Sequence, residues 1–129
     1  MLLVRVHVAR SPIHGLNVFA AEPIPAGREL WRFAPGFDLD LELSAIERQS
    51  GHIREFLLHY GYVDPRLNRY ILCCDHAHFL NHSGDPNLRP DFANDRYGVD
   101  RAVRDIAVGE ELTVDYRIVE GTDSGTQLD

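Results

Sequence analysis

The chain has no lysine: all 13 of its cationic side chains are arginine, set against 20 aspartates and glutamates for a net charge of −7. A Walker loop needs a lysine to reach its phosphates, and neither that loop nor a GxGxxG run is present, which excludes nucleoside-triphosphate chemistry. The negative balance argues against direct contact with nucleic acid and suits a cationic peptide or protein tail. The arginine bias itself is read as the codon signature of a GC-rich genome. Cysteine is nearly missing as well. Cys73 and Cys74 are neighbours, and adjacent residues of a strand point to opposite faces, so a disulfide between them is excluded and a reducing compartment is expected. Long apolar runs are also lacking: Arg5, His7 and Arg10 interrupt the opening MLLVRVHVAR, leaving neither a signal-peptide core nor a membrane span of about 20 residues. A soluble, cytoplasmic, prokaryotic protein without membrane contact is the expectation. The 129 residues, 44% of them hydrophobic, suffice for one domain with one core.

Residues 2–8 place Leu2, Val4, Val6 and Val8 on one side and Leu3, Arg5 and His7 on the other, the period-two pattern of a half-buried strand. His14-Gly15-Leu16-Asn17 reads as a tight turn, because glycine and asparagine best tolerate positive φ, and Val18-Phe19-Ala20 continues as strand. Prolines and Gly27 interrupt the chain before strand resumes over 28–33. Between Asp38 and Asp64 the pattern turns helical. Ser44 followed by Glu47 matches a capping box, and Ile46, Ile53, Phe56, Leu57 and Tyr60 can share a face. Short strands are predicted over 70–73, 88–92, 97–103 and 111–116. AAEPIPAGREL (20–30) and AVRDIAVGEEL (102–112) form a weak repeat, read as two hairpins with shared turn chemistry at Gly27 and Gly109 rather than as a duplicated unit. The outcome is one mainly β domain over residues 1–119, with a helical region at about 38–64 and a polar, loose C-terminal tail at 120–129.

The densest polar cluster is Cys73, Cys74, Asp75, His76, His78, His82 and Asp85. These types can bind zinc, and His76 and His78 would face one side if extended. The paired CxxC spacing of structural zinc sites is missing, however, and Phe79 and Leu80 read as core, so ordinary packing is the better reading and no metal is assigned. Ser83 beside His82 does not make a triad, which is assembled across a fold, and there is no GxSxG elbow.

Three stretches nevertheless occur in order: His14-Gly15-Leu16-Asn17-Val18-Phe19-Ala20 with Ile24-Pro25-Ala26-Gly27 behind it; Phe79-Leu80-Asn81-His82-Ser83-Gly84-Asp85-Pro86-Asn87; and Gly109-Glu110-Glu111-Leu112-Thr113-Val114-Asp115-Tyr116. Together they resemble the signature motifs of the SET-domain family of protein lysine methyltransferases, over about residues 4–117. The resemblance implies several small β-sheets around a C-terminal pseudoknot, in which the Asn81-His82-Ser83 strand passes beneath a loop near the chain end. It also implies S-adenosylmethionine as cofactor, with S-adenosylhomocysteine as product, held near Gly15, Leu16 and Asn17 and by Asn81 and His82. Tyr116 takes the place of the catalytic tyrosine. Tyr60 and Tyr62 are candidates for the lysine channel. Val114 stands where many members carry a methyl-limiting aromatic, which suggests room for higher methylation.

Asn17 stands where a second glycine is usual, and His78 where arginine is common. No cysteine-rich segment follows Tyr116 to close the channel, so the tail, a ligand or a homodimer partner is expected to do so. The implied activity is methyl transfer to lysine in a basic, histone-like protein, and a chain without lysine could not methylate itself. Two other readings stay open: a catalytically weak SET-fold module that binds peptide or cofactor, and a metal protein using the cluster from Cys73 to His82.

Overall fold

The computed structural model describes residues 1–119, and the expected polar tail at 120–129 lies outside the described residues. The elements run β1 (Val6–Arg10), β2 (Leu16–Ala20), β3 (Glu29–Trp31), β4 (Leu39–Glu42), α1 (Leu43–Glu47), α2 (Gly51–Tyr60), β5 (Tyr62–Asp64) and β6 (Arg69–Leu72). A 3-10 turn (His76–Phe79) follows, then β7 (Asn81–His82), β8 (Leu88–Asp91), β9 (Val99–Ala102), β10 (Thr113–Val114) and α3 (Tyr116–Val119). Among the described residues the strands form four small sheets: β1-β2, β3-β9-β8, β4-β6-β5 and β7-β10. This is the mainly β, many-sheeted architecture expected from the sequence.

The alternation over residues 2–8 appears in burial, with Val4 buried and Leu3, Arg5 and His7 exposed. Regular pairing starts only at Val6, because Leu2 bridges Trp31 instead. Gly15, at φ +49°, carries the turn into β2, and its carbonyl accepts from Ser11 N at 2.7 Å. Asn17 does not share that left-handed backbone. It is extended, paired with Ala9, and fully buried.

The weak repeat acquires a structural meaning that its turns alone did not carry: the two copies pair with each other. Ile24 and Ile106 exchange backbone hydrogen bonds of 2.9 and 2.8 Å. Gly27 N donates to Ala102 O and Gly109 N to Ala20 O, each at 2.8 Å, so the two bonds interchange when the copies are swapped. Gly27 and Gly109 sit at φ +86° and +87°, a conformation that an L side chain would strain. Ile24, Leu30, Ile106 and Leu112 are at most 2% exposed and head the main core, each contributing about 1.5–3 kcal/mol of burial.

The helical region is smaller than its pattern suggested. Both ends of 38–64 fold as strand, β4 and β5, which flank β6, and the helix is split at residues 48–50. The expected capping box does not form: Ser44 lies inside α1, whose N-cap is Glu42 with no side-chain cap bond. Of the proposed shared face, Ile46 is buried and Leu57 and Tyr60 pack beside it, whereas Ile53 and Phe56 are 46% and 49% exposed. A helix of five residues and another of ten cannot keep a single stripe in register across the break. The β8 and β9 strands are trimmed versions of the predicted ones. The last strand shortens to Thr113–Val114, and Tyr116 begins a helical turn rather than ending a strand.

Candidate active site

The parallel pairing of β7 with β10 sets Asn81 opposite Thr113 and His82 opposite Val114, joining segments more than thirty residues apart. A two-residue ladder is too short to hold itself, and buried side-chain amides complete it. Asn17 donates from Nδ2 to the Glu111 carboxylate and to Leu112 O (3.1 Å), while its Oδ1 accepts from Val18 N (2.6 Å) and Asn81 N (3.2 Å). Asn81 Nδ2 reaches His14 O at 2.8 Å and Ser11 Oγ at 3.2 Å, and Ser11 Oγ donates to Glu111 Oε2 at 2.7 Å. From the other side Asn87 imitates a strand: Thr113 N donates to its Oδ1 (2.9 Å) and its Nδ2 donates to Glu111 O (2.7 Å). The amides thus satisfy backbone groups that no neighbouring strand could reach.

This frame aims Tyr116. Its backbone N–H donates to His82 Nδ1 at 3.1 Å, which leaves the ring proton on Nε2 when the imidazole is neutral. Its hydroxyl donates to Leu80 O at 2.5 Å. The His82 and Tyr116 rings lie 5.3 Å apart. Just before the tyrosine, Asp115 pairs with Arg117 at 2.8 Å, and that guanidinium holds the carboxyl below the ordinary carboxylate range.

Tyr116 faces a cleft of about 800 Å³, within the range of small-molecule and cofactor sites. Gly15, Leu16, Asn81, His82, Tyr60, Tyr62, Val114 and Tyr116 all line it, so residues from the three separate motifs converge on one cavity with the two tyrosines at the end of the helical region. Asn17 does not line it; it stands behind the wall as the hub just described. Tyr60 packs against His78, whose Nδ1 lies 3.1 Å from Cys73 O. Burial pushes the Tyr62 hydroxyl well above its usual range and does the same to the Cys73 thiol, so both are neutral at physiological pH. His76 and His78 are not extended but lie in the 3-10 turn, started by Asp75, which caps Ala77 N. Among the described residues no three histidine, cysteine or acidic side chains are grouped as a metal site.

Ser11, Glu111, Trp31 and Asp100 belong to this region without having stood out in the sequence. Glu111 sits inside the third motif, so its place was legible although its role was not. Ser11 lies in an unremarkable turn. Trp31 and Asp100, opposite each other in the β3–β9 ladder, line the cleft from strands that lie outside the three motifs.

At Gly15 a side chain would meet nothing within 4 Å, so the backbone of 14–16 stands open at the cleft edge, beside the aromatic faces of His82 and Tyr116.

The SET domain family matches residues 15–117, and the chain belongs to that family. In three dimensions it resembles a candidate histone methyltransferase from Plasmodium falciparum, with 18% identity and TM-score 0.62 over 89% of this chain and 95% of that one. It also resembles a chain of an active polycomb repressive complex 2 in the basal state, with 22% identity and TM-score 0.65 over 88% of this chain. A humanized mutant of the Chaetomium thermophilum complex, bound to an inhibitor, gives 22% and 0.61 over the same share. This chain spans about 15% of each polycomb chain.

Proposed function

We propose that the chain is a protein-lysine methyltransferase that uses S-adenosylmethionine. The observation that carries this reading is the placement of Tyr116, tied by its amide to His82 and by its hydroxyl to Leu80, at a cleft shared with Gly15 and Asn81. The family assignment and the fold supply the reaction class. The bound cofactor supplies an electrophilic methyl group on a sulfonium. The chain's own work is then to exclude water and to align the amine for in-line displacement, in which a C–N bond forms as the C–S bond breaks. Gly15, Leu16, Asn81 and His82 would hold the cofactor, with Asn17 fixing the strand behind them.

Tyr60, Tyr62 and Val114 are the proposed channel. Beside the sulfonium of a bound cofactor, desolvation and like charge lower the pKa of a lysine amine and favour the neutral nucleophile, so no strong base is required. Val114, only 5% exposed and set opposite His82, leaves the aliphatic wall that allows more than one methyl group. The substrate class is a basic protein such as a histone, suited to the acidic surface, as the histone methyltransferase neighbours also suggest. The proposed homodimer is checked by sedimentation, where a monomer at high concentration would remove it.

The deciding experiment incubates the protein with labelled S-adenosylmethionine and histones, comparing wild type with Tyr116→Phe. Transfer to lysine by wild type, reduced by the substitution, is expected. No transfer to any lysine, or no change in the variant, overturns the reading. Calorimetric binding of cofactor without turnover would identify a binding module instead.

A further inference from the structure

Asp100 is a carboxylate without a counter-charge in the wall of the cleft. It lies in the middle strand of the β3-β9-β8 sheet, between Trp31 on β3 and Pro90 on β8, and all three line the cavity. Tyr62 of β5 and Cys73, just past β6, complete that part of the wall, both held neutral by burial. None of the four neighbours carries a positive charge. The one cation that acts on Asp100 is the Met1 amino group, which is already bound to Asp38 Oδ2 at 2.8 Å and to Arg32 O at 2.6 Å. Among the described residues no hydrogen bond or ion pair holds the Asp100 carboxylate.

The residue opposite it repeats the pattern. Trp31 Nε1 is the one buried side-chain polar atom among the described residues that lacks a hydrogen-bond partner. Folded chains satisfy such groups almost everywhere, and a buried charge without a partner is tolerated where something else supplies the partner.

We propose that Asp100 is the recognition residue for the charged amine of the substrate, a primary alkylammonium entering the cleft. That the amine belongs to a lysine side chain rests on the methyl-transfer reading; the affinity for an alkylammonium does not. An ammonium offers three donors on a narrow, flexible stem, and the Trp31 and Tyr62 rings offer faces that attract cations. No proton or methyl moves in this step: the cation exchanges hydration for one carboxylate and aromatic walls. Burial lifts the Asp100 carboxyl to about 7, so binding should strengthen as pH rises through that value and the carboxylate forms.

The test uses the full chain, with n-butylamine as the lysine side-chain probe and n-butanol as its neutral counterpart. Calorimetry at pH 8 should show butylammonium binding at least about tenfold tighter than butanol, with the advantage lost in Asp100→Asn and partly kept in Asp100→Glu. Thermal unfolding of each variant checks that the fold is intact. With a lysine peptide, Asp100→Asn should raise KM by about tenfold or more, a larger effect than on kcat. Equal binding of the two probes by wild type, or unchanged amine binding in Asp100→Asn, overturns the inference. If amine binding depends on Asp100 while wild type methylates no lysine, this inference stands and the methyl-transfer reading falls.

Discussion

Two ends of one cleft are built on opposite rules. At the β7–β10 junction Ser11, Asn17, Asn81, Asn87 and Glu111 form a closed set of hydrogen bonds, each amide answering a backbone group or a carboxylate. At the β3–β9 wall, Trp31 and Asp100 are opposite each other in the ladder, and among the described residues neither the indole Nε1 nor the carboxylate has a hydrogen-bond partner. A satisfied network fixes geometry, which is what a residue such as Tyr116 needs in order to act on a substrate held elsewhere. The unsatisfied polar atoms add no hydrogen bond to the fold, although the Trp31 ring packs in the core, and they leave binding capacity at the wall. The contrast separates the residues that build the site from those that wait for its contents.

The sharpest break of the contrast is at its satisfied end. Asn17→Ala removes both donors and the acceptor that serves Asn81 N and Val18 N, leaving buried groups unpaired; a loss of about 3 kcal/mol is expected, read by denaturant unfolding. An effect below about 1 kcal/mol would show that the junction is held by something else. Tyr116→Phe should leave the fold within about 1 kcal/mol of wild type while lowering methyl transfer by about a hundredfold, or 2.7 kcal/mol of barrier, measured with labelled cofactor.

The unsatisfied end should respond in the other direction. The folded carboxyl of Asp100, at about 7, lies above its ordinary value near 3.9, so the folded state holds the proton more tightly. Its contribution is therefore intact below about pH 4, is lost as pH rises toward 7, and stays lost above. Asp100→Asn should accordingly stabilise the protein at pH 8 by about 2 kcal/mol, discounted from the roughly 4 that three pH units represent because the side chain is partly open to the cleft. The two proteins should converge at about pH 4 in urea melts; a lower stability of the variant at pH 8 would remove the asymmetry. Smallest of all, Trp31→Phe loses indole packing but also an orphaned donor, so a net cost of under about 1.5 kcal/mol is expected in thermal unfolding, less than for a tryptophan whose nitrogen is bonded.

Much of the fold was legible because strands and turns announce themselves locally. Alternation placed the opening strand, and Gly27 and Gly109 marked turns that only glycine makes without strain. The helical insert was found but overdrawn, since short apolar stretches such as 39–42 and 62–64 read equally as helix or strand until β6 pairs with both. Ser44 and Glu47 had a capping spacing, yet the helix started one residue before the serine. In the site, the motifs located Gly15, Asn81, His82 and Tyr116, whereas Asn17 was read for its backbone and acts through its side chain.

The sequence by itself determined the family, because three ordered motifs carry their turn chemistry and their polar residues with them. It also determined the mainly β character, since period-two alternation and glycine turns depend on neighbours a few residues away. Only the tertiary structure decided that the repeated segments pair with each other and that Asn17 bonds Glu111 across 94 positions. It alone placed Asp100 in the same cleft as Tyr116. Those facts depend on which strands become neighbours, and long-range pairing leaves no periodic trace in a single chain.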